Sequence, residues 1–170
     1  MFTRAGRATL FDRKAFTEAF FDDDSMADSA IVVALVGGAT YLGFLFRGIF
    51  PGFDLTEFLG VVLYSVVSWL ILGFATWFAA ARIFSASGRP QTLLALQGLA
   101  VLPLLLEVFG SPISWVGLVW YLVVLVVATR EATDLAYKHA GVSVLIGFAI
   151  AFLVRLLLGA PFGLLSGALG

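Results

Sequence analysis

Between Phe58 and Ala81 the chain carries no charged residue. A stretch of that kind decides the solvent before it decides the fold. A hydrocarbon core about 30 Å thick is crossed by about 20 apolar residues at a helical rise of about 1.5 Å each. Comparable blocks recur along the 170 residues, as long runs rather than as the stripes of an amphipathic soluble helix. Composition agrees: 61% of residues are hydrophobic and 12% charged, where an ordinary soluble domain has about 25% charged. The expected fold class is all-α, a polytopic membrane protein.

Five transmembrane helices are predicted, at about 29–46, 58–83, 91–109, 113–129 and 141–158. They form one domain over 29–170 behind a short segment, 1–28. Turn chemistry supplies the breaks: FRGIFPGFD (46–54), SASGRP (85–90) with Pro90 opening the next helix, and FGSP (109–112). Basic loops stay cytoplasmic. One orientation gathers Arg4, Arg7, Arg13, Lys14, Arg82, Arg89, Arg130 and Lys138 on the side of the N-terminus. It leaves Arg47 opposite and Arg155 within the fifth span, eight against two. The expectation is a cytoplasmic N-terminus and an outside C-terminus, with the first span acting as the targeting element. Trp115, Trp120 and Tyr121 fit an interfacial aromatic belt or packing inside the bundle.

Ahead of the first span, residues 10–29 can form a short amphipathic helix with Phe11, Ala15, Ala19 and Phe20 on one side. Such a helix either lies in the membrane interface, its basic start near anionic headgroups, or packs on the inner mouth of the bundle. Asp22, Asp23 and Asp24 read as a solvated or capping run, since the glycine and spacing of a calcium loop are missing. Asp28 or Ser29 is placed to cap the first span. Ala34 with Gly38, Ala75 with Ala79 and Gly147 with Ala151 have the spacing of four that lets helices approach closely in lipid. The tail carries Gly159, Gly163 and Gly167 at the same interval around Pro161, and either prolongs the fifth span or turns back.

Charges inside such spans are the informative residues. Glu107 and Arg155 fall about 24 and 21 Å from the inner starts of their helices. Opposite charges at matched depth suit an intramembrane ion pair, because each alone is expensive in hydrocarbon. Arg47 is the rival partner for Glu107; in the bland reading both groups snorkel separately to the outer interface. Pro103 cannot donate to the Leu99 carbonyl, so the helix is expected to bend there and a neighbour or water to satisfy that oxygen. Gln97 is expected to bond across to another helix. On the last inner connection, Arg130, Asp134 and Lys138 stand at i, i+4 and i+8 with Glu131 beside them. They read as solvated helical extensions or as a docking surface for a partner.

Several chemistries find no footing. There is no cysteine for a disulfide, a thiol nucleophile or a thiolate metal site. Net charge is −1 with no basic run, so nucleic acid is not an expected partner. The sole histidine, His139, sits among charged residues and reads as solvated, and no nucleophile motif or phosphate loop is present. Neither enzyme activity nor a cofactor is expected.

Three segments resemble the Yip family, five-span membrane proteins first known as Ypt/Rab-interacting proteins, and look most like its bacterial members. They are LFDRKAFTEAFFDDDSMADSAIVVAL, GRPQTLLALQGLAVLPLLLEVFG with its Leu102-Pro103 pair, and LVVATREATDLAYKHAGVSVLIGFAI. The resemblance implies a cytoplasmic N-terminus and, in eukaryotic relatives, binding of prenylated Rab-type GTPases. The inner segment here is only about 28 residues, shorter than in those relatives, so GTPase binding is not expected. For bacterial members the resemblance implies no catalytic residues. Eight arginines against two lysines are compatible with a prokaryotic cytoplasmic membrane. The expected role is a scaffold or accessory subunit that binds other membrane proteins or lipids. The alternative is a small permease or channel with Gln97, Glu107 and Arg155 along its path.

Overall fold

The computed structural model describes residues 2–10, 12–20 and 24–168, without the side chains of residues 2–4, 13, 15, 19, 20, 155 and 157–168. The helices are α1 (Phe2–Thr9), α2 (Arg13–Phe20), α3 (Ser25–Phe46), α4 (Leu55–Ile83), α5 (Pro90–Leu99), a 3-10 helix (Leu102–Phe109), α6 (Ile113–Thr133) and α7 (Tyr137–Ala168). No strand occurs among the described residues. Five helical segments are long and apolar enough to cross a membrane, with α5 and the 3-10 helix together forming the third. This is an all-α polytopic membrane protein. The helices run beyond the predicted spans, because polar residues at a membrane boundary do not end a helix. α6 carries Arg130 and Glu131 to Thr133, α7 already starts at Tyr137, and its tail continues as helix to Ala168.

Where a helix does start, a specific group starts it. The Asp54 carboxylate accepts hydrogen bonds from the backbone N–H groups of Thr56 (2.6 Å) and Glu57 (3.0 Å), capping α4 three residues before the predicted span. Tyr41 of α3, fully buried, braces the same turn. Its hydroxyl donates to the Asp54 carbonyl (3.2 Å) and accepts from the Asp54 N–H (2.9 Å). Phe50, Phe53 and Phe58 pack around its ring. The cap bonds hold the Asp54 carboxyl below its ordinary range. A group depressed on folding contributes stability above its unfolded pKa of about 4 and loses it as pH falls through the folded value. Asp54→Ala should therefore flatten the acid side of a plot of Tm against pH in detergent, and Asp54→Asn should keep the cap without that slope. α3 starts differently from its expectation. It begins at Ser25, with Asp24 at the cap position making no side-chain cap bond, and Asp28 lies in its first turn. Ser29 is buried and donates to the Ala95 carbonyl (2.6 Å) of α5 rather than capping its own helix.

The expected bend at Pro103 is instead a change of helix type. α5 closes at Leu99 with the Ala100 N–H shared between the Leu96 and Gln97 carbonyls, and Leu104 N–H bonds the Val101 carbonyl three residues back. A proline without an N–H, preceded by a residue biased away from the α region, disfavours continuation of the α-helix. The eight-residue 3-10 run is long for its type and rises about 2 Å per residue, which stretches the span. Close packing holds it: Val108 lies against Gly43 of α3, and the Pro103 carbonyl against Gly117 of α6.

α5 is the post around which the rest is built. Leu93 to Val101 are all buried, nine consecutive residues. A helix apolar all round requires neighbours all round. α3, α4 and α6 surround it on three sides, while α7 packs on α4 and α6. The remaining side is covered by the N-terminal segment. α1 and α2 lie against α5 and α6, with Ala5, Ala8 and Phe16 buried at that contact. The helix expected within 10–29 is α2, and a further helix not expected from the sequence, α1, precedes it. Phe11, Ala15, Ala19 and Phe20, the expected apolar face, lie outside the described side chains; Phe16 is the anchor. With Arg7 of α1 ion-paired to Glu18 of α2, the two helices pack as a hairpin whose tip bears Thr9 and Asp12. For brevity, the end of the bundle bearing Arg82, Arg89 and Lys138 is called the basic end, and that bearing Arg47 and Gly110 the far end.

Candidate functional site

Two polar features interrupt the apolar bundle, one at its centre and one on its flank. At the centre is Gln97, fully buried on α5. Its Nε2 donates to Thr129 Oγ1 of α6 at 3.3 Å, so Gln97 does bond across helices as expected. Thr129 in turn accepts through its carbonyl from Thr133 Oγ1 (2.6 Å). Gln97 Oε1 faces Gly73 of α4 and has no hydrogen-bond partner. Thr76 Oγ1, one turn along α4 and also fully buried, has none either. It lies against Gly147, whose missing side chain lets the backbones of α4 and α7 meet. Trp69 Nε1 donates to the Leu94 carbonyl (3.1 Å). With the Ser29 bond, side chains of α3 and α4 thus clasp adjacent carbonyls of α5. Sequence reasoning found Gln97 but missed Thr76, Thr129 and Trp69. Isolated threonines in apolar runs carry no signal beyond their polarity, although Thr76 stands between the small pair Ala75 and Ala79.

On the flank, the hairpin carries an ion network. Arg7 Nε donates to Asp12 Oδ2 (2.7 Å), and Arg7 Nη1 reaches Glu18 Oε1 and Oε2 (both 3.3 Å). Lys14 N–H caps on Asp12 Oδ1 (2.9 Å), which starts α2. Trp120 of α6 donates through Nε1 to the Thr9 carbonyl (3.0 Å) and so fixes the depth of the tip. Trp120 is thus a packing residue. So is Tyr121, buried edge-on to Phe148, while Trp115 is exposed as a belt residue would be. Trp120→Phe removes one hydrogen bond and little else, worth about 1 kcal/mol. Amide hydrogen exchange in residues 5–18 should accelerate about fivefold, as 1 kcal/mol corresponds to that factor; α4 and α7 should keep their protection.

The far end holds Glu107, on the 3-10 helix and half-buried. Its side chain forms no ion pair or hydrogen bond with a described residue. Arg47 bonds the Gly43 carbonyl through Nε (3.3 Å), lies over the Phe44 ring and packs beside Gly110, one 3-10 turn past Glu107. The Arg155 side chain lies outside the described residues, and the Glu107–Arg155 pairing with it. The Glu107 segment lies on α3 and α6, and α7, which carries Arg155, packs on α4 and α6.

At the basic end, the stack of Arg130, Asp134 and Lys138 along one helix does not form, because Asp134 ends α6 in the left-handed conformation (φ 55°). Arg130 instead pairs with Glu131 (2.7 Å) and lies over the Tyr137 ring, whereas Asp134 and Lys138 are exposed. His139, exposed, stacks on Phe84 at 4.7 Å between ring centroids, tying α4 to α7. Comparison of the chain with protein-family models, curated proteins and solved structures finds no match.

Proposed function

We propose that this protein is a Yip-type membrane scaffold or accessory subunit that binds other integral membrane proteins or lipids. Its N-terminus lies in the cytoplasm of a prokaryotic cell and its C-terminus outside. The observation that carries the reading is the burial of α5. A central helix enclosed from Leu93 to Val101 acts as a structural post, and a solute path along Gln97 would need that packing to open. The basic end gathers most lysines and arginines, which supports a cytoplasmic placement. Arg130, Glu131, Asp134 and Lys138, with Tyr137, offer a polar surface there for a partner.

Topology is tested with single cysteines, since the chain has none of its own. Ser87 and Ser111 are exposed at opposite ends of the bundle. Ser87→Cys should react with an impermeant thiol reagent from the cytoplasmic side and Ser111→Cys from the outside; reaction of both from one side sinks the proposal. Function is tested by mild detergent extraction after crosslinking, with a stable larger complex expected. The two partnerless oxygens, Thr76 Oγ1 and Gln97 Oε1, favour a permease as the second reading. Ion or solute flux in reconstituted vesicles that vanishes in Gln97→Leu would establish that reading instead.

A further inference from the structure

The forces that seat the N-terminal hairpin and those that expel it are close to balance. Trp120 donates to the Thr9 carbonyl, and Ala5, Ala8 and Phe16 are buried against the bundle. In water that burial would hold the hairpin firmly. In a bilayer it holds less, because lipid tails cover a vacated apolar surface without a hydrophobic penalty. The α5 surface is of that kind. Gln97 is the only polar side chain from Leu93 to Val101, and it is turned to α6 and α4. Against these contacts stands the placing of charge. Trp120 lies about two-thirds of the way along α6 from Thr133 toward Ile113, about 20 Å at helical rise. Its bond carries the tip, with Arg7 and Asp12, deep into the span. The side chains of Arg7, Asp12 and Glu18 are 40%, 35% and 46% exposed there. Pairing lowers the penalty of charge in hydrocarbon without removing it. Withdrawn toward the basic end, the same groups are hydrated.

We propose that the hairpin is a reversible strap, seated on α5 in a neutral bilayer and drawn out to the basic-end surface by anionic headgroups. The Arg7–Glu18 pair joins α1 to α2, so the hairpin moves as one piece. Four residues separate α2 from α3 and serve as the hinge. The charge lies on the moving part: residues 1–20 carry Arg4, Arg7, Arg13 and Lys14 against Asp12 and Glu18. The acidic run 22–24 falls in the hinge itself. Each net basic charge brought to an anionic surface favours the withdrawn form on the order of fivefold. Lipid tails take the vacated side of α5, while Gln97 stays enclosed. The strap rests on the reading above only in requiring that the bundle be embedded in a bilayer.

The test attaches a nitroxide to the full chain at Leu10→Cys, on the exposed tip, or at Val67→Cys, exposed on α4. Both positions are outside the packed contacts, so the label leaves the fold intact. The labelled proteins are placed in nanodiscs of phosphatidylcholine, with or without phosphatidylglycerol. Collision with a neutral water-soluble nickel chelate reports water, and collision with oxygen reports hydrocarbon. In phosphatidylcholine, position 10 should read hydrocarbon depth. With phosphatidylglycerol its nickel collision rate should rise about threefold or more and fall back in about 1 M salt, while position 67 does not change. Trp120→Phe, which removes the Thr9 bond, should raise the nickel rate at position 10 in phosphatidylcholine alone. Equal nickel rates at position 10 in the two lipids overturn the strap. A rise shared by position 67 overturns it too, since the whole bundle then loosens. Water depth at position 67 in both lipids overturns the embedding itself, whereas hydrocarbon depth there with no change at position 10 overturns the strap alone.

Discussion

Gly147→Leu should be the most damaging single substitution in the bundle, with a loss of about 3 kcal/mol or more from overpacking against rigid backbone. A Cβ at position 147 would collide with Thr76 Oγ1 and approach the Thr76 backbone nitrogen and Cα at 3.0 and 3.1 Å. The side chain cannot step aside alone, because the helix behind it must move. Since α4 and α7 share an extensive interface, their separation would undo the seating of the fifth span. Gly147→Ala should lose less, about 1–3 kcal/mol. Gly141, on the same helix, has nothing within 4 Å of the corresponding position. Gly141→Ala should be neutral or stabilise by about 0.5–1 kcal/mol through helix propensity. Thermal unfolding in mild detergent, followed by circular dichroism, ranks the three. A Gly147→Leu protein with wild-type Tm would mean that α4 and α7 do not meet there.

Gln97 gives the second large effect, and its sign depends on the replacement. Its Oε1 is buried without a partner, a condition costing about 1–3 kcal/mol. Gln97→Leu keeps most of the volume and removes that oxygen, which offsets the loss of the Nε2 donor to the Thr129 hydroxyl; the Thr133 bond, made to the Thr129 carbonyl, is untouched. The variant should remain within about 1 kcal/mol of wild type or exceed it. Gln97→Ala opens a cavity among Leu93, Leu94 and Gly73 and should lose about 2–4 kcal/mol. Gln97→Glu buries an unpaired carboxylate and should lose about as much again, with recovery at low pH as the acid neutralises. Severe destabilisation by Gln97→Leu would show that Oε1 has a partner, such as an internal water, that is worth more than the apolar contact.

The number and approximate position of the spans were legible because a hydrocarbon solvent demands long uncharged runs, and length alone distinguishes them. Their ends were less so. α6 runs on through Arg130 to Thr133 since charge does not stop a helix outside the membrane, and Asp134 breaks it with a conformation that only a few residue types adopt readily. The hairpin was hidden for a different reason. Two helices of eight residues each are too short to show a repeat, so α1 was not anticipated and Phe16, buried against the bundle, was not among the residues expected on the apolar face. Asp12 was the overlooked signal, a capping residue just before RKAF. At the site, Gln97 stood out because a buried amide must find partners, and its partner Thr129 could not be read from sequence since nothing there sets which helix faces which. Glu107 and Arg155 were matched by depth along their helices, and the Arg155 side chain lies outside the described residues.

The Trp120–Thr9 bond joins residues 111 positions apart, and that distance has a consequence for biogenesis. The N-terminal helices leave the ribosome first, while the helix that seats them emerges among the last. At synthesis rates of about 5–20 residues per second, the delay is on the order of 6–20 s. During that interval Arg7, Asp12 and Glu18 have no prepared place in the bilayer, and the earliest part of the chain waits in water for the last wall of its own socket. The hairpin is thus a closing clasp, set only once the fourth span is inserted, and a nascent chain stalled before α6 would leave it undocked.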